Sequence, residues 1–200
     1  MKWFAAILVY LAVGIGLFWF HRAWVALLEF HFVIVLSLLL AGPKVPLAIL
    51  FKSRDIGWIF LSILLCGSSG ISLYFLWPSF GAASKLPAQV GSLGLTKSTW
   101  PVFIAYFAFV NPFIEEYFWR GYLGNSTNGL YISDFVYAGF HALILIGNVQ
   151  TSSIIYSLIV LVLAGWFWRQ IAREDQGLLA PVLGHMAADF TILMAVYWRV

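Results

Sequence analysis

The sequence predicts an all-α fold: a polytopic transmembrane helical bundle of about seven spans. Two observations carry this. Of 200 residues, 62% are hydrophobic and 10% charged, against roughly 45–50% and about 25% in an ordinary soluble domain. The apolar residues also gather into seven stretches near the ~20-residue length that crosses a bilayer. Mean hydropathy is +0.94. The composition excludes a disordered chain, a nucleic-acid-binding module and a disulfide-stapled secreted domain, and it argues against a water-soluble enzyme. The formal charge of +3 reads as loop cations of a membrane protein, so membrane lipid is the expected surrounding and no nucleic acid is.

The stretches run over 3–20, 24–42, 56–77, 101–123, 129–147, 151–168 and 178–197. Lys2 ahead of the first resembles a signal-peptide start. The run ends at His21 and Arg22 without a small-x-small site, so it reads as an uncleaved helix. The second carries Glu29 and His31, which are i,i+2 and cannot share a helix face. Pro43 to Asp55 holds Pro43, Pro46, Lys44, Lys52 and Arg54 and reads as a loop. Cys66, the single cysteine, sits among small residues and reads as packing. Pro78 to Lys97, rich in Gly, Ser and Pro, is the longest connection. All ten tryptophans, Trp119 and Trp168 included, fall near expected span ends, where aromatic belts form. The whole chain, 1–200, reads as one integral membrane domain.

Seven spans put the N-terminus on one side with Lys2, Lys44, Lys52, Arg54, Arg169 and Arg173, and leave Arg22, Lys85, Lys97 and Arg199 on the other. Arg120 is taken to lie within the membrane. The bias favours a cytoplasmic N-terminus.

Ionisable groups inside spans are costly and therefore functional by default. Three clusters qualify. Glu115, Glu116 and Arg120 lie within Asn111-Pro112-Phe113-Ile114-Glu115-Glu116-Tyr117-Phe118-Trp119-Arg120. Glu116 and Arg120 are i,i+4, the spacing of an ion pair. That leaves Glu115 as an unpaired carboxylate suited to general-base work, unless the cluster merely snorkels to the interface. Pro112 is expected to kink or start this helix with Asn111 capping it. His141 follows Tyr137 by one turn, with Asp134 near the helix start. His185 and Asp189 are again i,i+4, and Gly184, Ala187 and Ala188 permit close helix approach around them. At 1.5 Å rise per residue, Glu115 lies roughly 12 Å, His141 roughly 18 Å and His185 roughly 11 Å from the N-terminal side. Glu115 and His185 fall in the nearer half of a core about 30 Å thick and His141 just past its middle, close enough in depth for three helices to converge on one pocket.

Glu115-Glu116-x-x-x-Arg120, Tyr137-x-x-x-His141 and His185-x-x-x-Asp189 resemble, in this order on successive late helices, the EExxxR, FxxxH and HxxxN/D motifs of the CAAX prenyl protease 2 family. That family includes bacterial members linked to bacteriocin processing and self-immunity. The resemblance covers 111–190, the catalytic region it implies. It further implies an intramembrane endopeptidase of the glutamic type, in which Glu115 and His141 activate a water. His185 and Asp189 would stabilise the oxyanion, and Glu116, Arg120 and Tyr137 would support the site. Tyr137 stands where Phe is commoner. Asp189 stands where other members use Asn; an ionised carboxylate would repel an oxyanion, which favours Asp189 as the group that orients His185.

The expected partner is a peptide or protein substrate presented at the membrane, and no cofactor is expected. Two His and a carboxylate could hold zinc, but no HExxH is present. A non-catalytic immunity or peptide-binding protein of the same fold is the alternative from another class. The chain resembles prokaryotic members, which implies a plasma-membrane enzyme with its site towards the cytoplasm. Glu29 and His31 have no counterpart in the motifs.

Overall fold

In the computed structural model, residues 2–82 and 84–200 are described, and among them every regular element is a helix. In chain order these are α1 (Lys2–Gly14), α2 (Ala23–Ala41), α3 (Ile56–Phe75), α4 (Trp77–Phe80), α5 (Leu86–Ser92), α6 (Trp100–Phe109), α7 (Asn111–Glu116), α8 (Ile132–Gly139), α9 (His141–Leu145), α10 (Thr151–Asp175) and α11 (Leu179–Arg199). Five helices are long and apolar enough to cross a membrane: α1 with its continuation to Trp19, α2, α3, α10 and α11. The fold is an all-α polytopic bundle.

Two of the seven expected spans are interrupted. The stretch 101–123 breaks at Val110, because Pro112 in the first turn of α7 has no N–H to continue the ladder of α6. After Glu116 it passes into a π-helical turn, Tyr117–Tyr122. The stretch 129–147 is a shorter apolar helix, Ile132–Leu145, that turns at Phe140. The sixth stretch is longer than expected: α10 runs to Asp175, and its 25 residues reach about 38 Å. Its last turns therefore stand at one rim of a core about 30 Å thick.

The chain visits two rims alternately. At one, Lys2 Nζ donates to Tyr122 O at 3.1 Å, and the Asp175 carboxylate accepts the backbone N–H of Arg54 and Asp55 at 2.7 and 2.9 Å. At the other, Arg22 Nη1 donates to Ser92 O at 3.1 Å and Ala82 pairs with Val149. Arg169, expected in a loop, is instead buried inside α10. It donates to both Asp134 oxygens at 2.9 and 2.7 Å and to the carbonyls of Thr127 and Gly129, each at 2.6 Å. A buried guanidinium requires that many acceptors, and the arrangement ties the 123–131 loop to α8 and α10. Asp134 thus serves more than the helix dipole. Asp175, also expected in a loop, closes α10 and is 1% exposed.

The tightest seam joins α3 to α11. A Cβ at Gly70 would fall on the Thr191 backbone, and one at Gly184 on Ser62. Ala187 faces Gly67, and Cys66 is buried as a free thiol. Small residues let two membrane helices approach to backbone distance. The tryptophans divide. Trp19 (80% exposed) and Trp198 (64%) suit an interfacial belt, whereas Trp119 and Trp168, at 1% and 2%, lie in the core. Sequence position near a span end does not fix which way an indole turns.

Candidate functional site

Glu115 and Glu116 end the helical turn that Pro112 begins, and the π turn follows at once. Its ladder shifts from i+4 to i+5, as in the Leu123 N–H to Phe118 O bond at 2.9 Å. Such turns concentrate at functional sites. Here every residue from Glu115 to Arg120 is buried.

Within this segment Glu115 is held from two sides. Asn111 Nδ2 donates to Oε1 at 2.8 Å and Trp119 Nε1 donates to Oε2 at 3.1 Å. Glu115 is thus free of any ion pair among the described residues but not free of partners. Asn111 is not a helix cap. It is the first residue of α7, and its side chain turns into the site, where it also lies 3.3 Å from Asp189 Oδ2.

Glu116 forms the expected pair with Arg120, Oε1 to Nη1 at 3.1 Å. The same oxygen takes His185 Nδ1 at 2.8 Å. His185 Nε2 lies 3.5 Å from Asp189 Oδ2, so Glu116 holds the imidazole more closely than Asp189 does. Trp168 stacks on that ring, with centroids 4.7 Å apart and planes 19° apart.

Tyr137 is the hub. Its ring lies 4.1 Å beneath the Arg120 guanidinium, 5.9 Å from Trp119, 6.2 Å from His185 and 5.3 Å from His141. A ring face attracts the cation above it, more strongly where water is excluded. His141 stands half-buried at the start of α9. Its Nδ1 faces Tyr137 O at 3.1 Å. A carbonyl only accepts, so Nδ1 carries a proton, and in the neutral imidazole Nε2 then holds the lone pair. Among the described residues His141 and Glu115 share no direct hydrogen bond. They are linked by a stack in which His141 packs on Phe140 at 4.1 Å and Phe140 on Trp119 at 6.0 Å.

The structure therefore gathers Glu115, Glu116, Arg120, Tyr137, His185 and Asp189, with His141 at their edge. It also adds His31 from α2. Nε2 of His31 lies 2.9 Å from Asn111 Oδ1, and Nδ1 lies 3.1 Å from the Tyr106 hydroxyl. Sequence reading took Asn111 for a cap, and it allowed one of Glu29 and His31 to point inward near the site without saying which. The available signal was a histidine in mid-span, which always needs a partner. Glu29 stays outside the cluster, with Oε2 buried and without a hydrogen-bond partner among the described residues. Among the described residues, no three His, Cys, Asp or Glu side chains gather into a set that could hold a metal ion.

No curated protein and no solved structure matches the chain. Residues 97–191 match the family model described as type II CAAX prenyl endopeptidase, Rce1-like. This region supplies every site residue above except His31, and over it the chain is similar to the Rce1-like type II CAAX prenyl endopeptidases.

Proposed function

We propose that this integral membrane protein is an intramembrane endopeptidase of the glutamic type. It hydrolyses a peptide bond in a membrane-associated or C-terminally anchored protein or peptide. The observation that carries the reading is the clamp on Glu115: a buried carboxylate, outside any ion pair, held at both oxygens by Asn111 and Trp119. Each oxygen keeps a lone pair for a water.

Glu115 takes a proton from that water as the oxygen attacks the scissile carbonyl carbon. His141 Nε2 accepts a second hydrogen bond from the water and fixes its direction. The carbonyl oxygen becomes an oxyanion beside His185, and Asp189 and Glu116 hold the imidazole in place. The C–N bond then breaks, and Glu115 returns its proton to the departing amine. The products are a new carboxyl terminus and a new amino terminus.

The proposed chemistry uses no metal. What supports this is that Glu115, Glu116, His185 and Asp189 are engaged with one another and with Asn111, Arg120 and Trp119. Cleavage is expected to survive chelation. The rim with Lys2, Lys44, Lys52, Arg54 and Arg173 reads as cytoplasmic, in a prokaryotic plasma membrane. With Arg169 buried, that bias is five cations against four.

Comparative proteomics of cells with the wild-type protein and with Glu115→Ala tests the reading. Accumulation of an uncleaved, membrane-anchored precursor is expected. Identical proteomes would overturn it. A Glu115→Ala protein that keeps its cellular role would make the chain a peptide-binding or immunity protein.

A further inference from the structure

Two ionisable side chains in α2, Glu29 and His31, lie outside the motif set, and His31 reaches the site. We infer that His31 is a positioning residue for Glu115, acting through Asn111. The inference rests on the reading of Glu115 as the base.

The polarity of the network is determined by its ends. Glu115 and Asp189, when ionised, can only accept hydrogen bonds. The Asn111 NH2 group therefore faces them, at 2.8 Å from Glu115 Oε1 and 3.3 Å from Asp189 Oδ2. Its carbonyl oxygen faces the other way and accepts from His31 Nε2 at 2.9 Å. With Nε2 protonated, a neutral imidazole accepts at Nδ1, where the Tyr106 hydroxyl donates at 3.1 Å. Donors thus run in one direction from Tyr106 through His31 and Asn111 to Glu115.

The chain crosses three packed segments. His31 belongs to α2, Tyr106 to α6 and Asn111 to α7. His31 and Asn111 are 5% and 0% exposed, so water does not substitute for a lost partner. An Asn111 amide rotated end for end would aim its oxygen at two carboxylates. His31 opposes that rotation by holding the carbonyl. The other oxygen of Glu115 is fixed by Trp119, whose indole lies within 9° of the Phe140 plane. Remove the His31 bond, and one of the two donors that set the carboxylate plane is no longer anchored. A displacement of about 1 Å at a reacting group lowers turnover by up to about 100-fold.

A purely structural staple between α2 and α7 would use the same atoms, so the test must read Glu115 itself. The protein is reconstituted in vesicles, and the Glu115 carboxyl band is assigned in infrared difference spectra by its loss in Glu115→Gln. In His31→Phe this band is expected to shift. In His31→Gln, whose amide nitrogen reaches the Nε2 position and can donate to Asn111, it is expected to stay. In His31→Asn, which reaches only the Nδ1 position, it is expected to shift as in His31→Phe.

Kinetics on the precursor that accumulates with Glu115→Ala give the second readout. His31→Phe is expected to lower kcat with KM unchanged, and His31→Gln to restore it. The His31→Phe/Asn111→Leu double variant should be no slower than Asn111→Leu alone, because the two act in series. An unmoved band in His31→Phe, or equal behaviour of His31→Asn and His31→Gln, overturns the inference. Identical proteomes with a moving band would remove the protease reading and leave the link. An accumulated precursor with an unmoved band would remove the link alone.

Discussion

Glu116 and His185 meet across the packing of α7 against α11, carboxylate Oε1 to imidazole Nδ1 at 2.8 Å. The same oxygen balances Arg120 at 3.1 Å. One buried carboxylate thus orients a histidine and neutralises a guanidinium that also lies over Tyr137. Breaking such a pair costs about 3–5 kcal/mol, because the remaining charge stays buried. Glu116→Gln is expected to lower thermal stability in detergent strongly. Adding Arg120→Met should return much of the stability and none of the cleavage, since His185 still lacks its carboxylate. Thermal unfolding and precursor cleavage, measured on both variants, check this.

Tyr137 works through its ring. Arg120, Trp119, His141 and His185 all pack against that ring. Tyr137→Phe is therefore expected to cleave at close to the wild-type rate. Tyr137→Ala should be inactive and destabilised by about 3–5 kcal/mol from the lost aromatic volume, with about 0.5–2 kcal/mol more from the cation above it. Denaturant unfolding with a parallel cleavage assay separates the two variants.

Asp189 accepts from Asn111 and lies against His185 Nε2. An Asn carbonyl can take both of those contacts while its amide adds a donor towards the reacting carbonyl. Asp189→Asn is expected to fold at least as well and to keep cleaving, as it also removes one of three crowded carboxylates. Asp189→Leu removes the acceptor and should lower kcat. Steady-state kinetics on the two variants decide whether charge or acceptor geometry matters.

Gly184 precedes His185 and lies against Ser62 of α3. Gly184→Ala must push the helices apart, which is expected to cost about 1–3 kcal/mol and to displace His185. Ser62→Gly should partly restore the double variant by removing the obstructing side chain. Alone it should be mildly destabilising, because Trp168 Nε1 loses its acceptor at 3.2 Å. Unfolding midpoints of the full cycle measure this.

Arg169 makes its hydrogen bonds to Asp134 and the 123–131 loop and none to a site residue. Arg169→Met leaves Asp134 buried and without its cation, with an expected loss of about 3–5 kcal/mol; it frees the Gly129 carbonyl and leaves Thr127 O only its bond from Gln170 Nε2 at 3.1 Å. Hydrogen exchange should show the 123–131 loop losing protection first. Cleavage per folded molecule should be kept.

Hydropathy alone located the apolar stretches, because burial in lipid requires about 20 apolar residues regardless of neighbours. Local spacing alone paired Glu116 with Arg120, because i,i+4 groups meet on any helix. Those two regularities carried the all-α fold and the motif set. They could not show that α6 and α7 separate at Val110, or that a π turn places Trp119 inside. They also could not show that Arg169 is buried with Asp134.

Asn111 and Trp119 each stand four positions from Glu115, within reach of local spacing, but the contacts that cross between helices were beyond sequence reading for a single reason. His31 and Asn111 are 80 positions apart, and Glu116 and His185 are 69 apart. Whether such residues touch depends on how far each helix is rotated and shifted against its neighbour. That is set by close packing at Gly16, Gly70 and Gly184, and no local pattern records it. The sequence by itself determined that scarce charges lie inside membrane helices. Only the tertiary structure decided which donor faces which carboxylate, because buried polar groups must satisfy one another across helices.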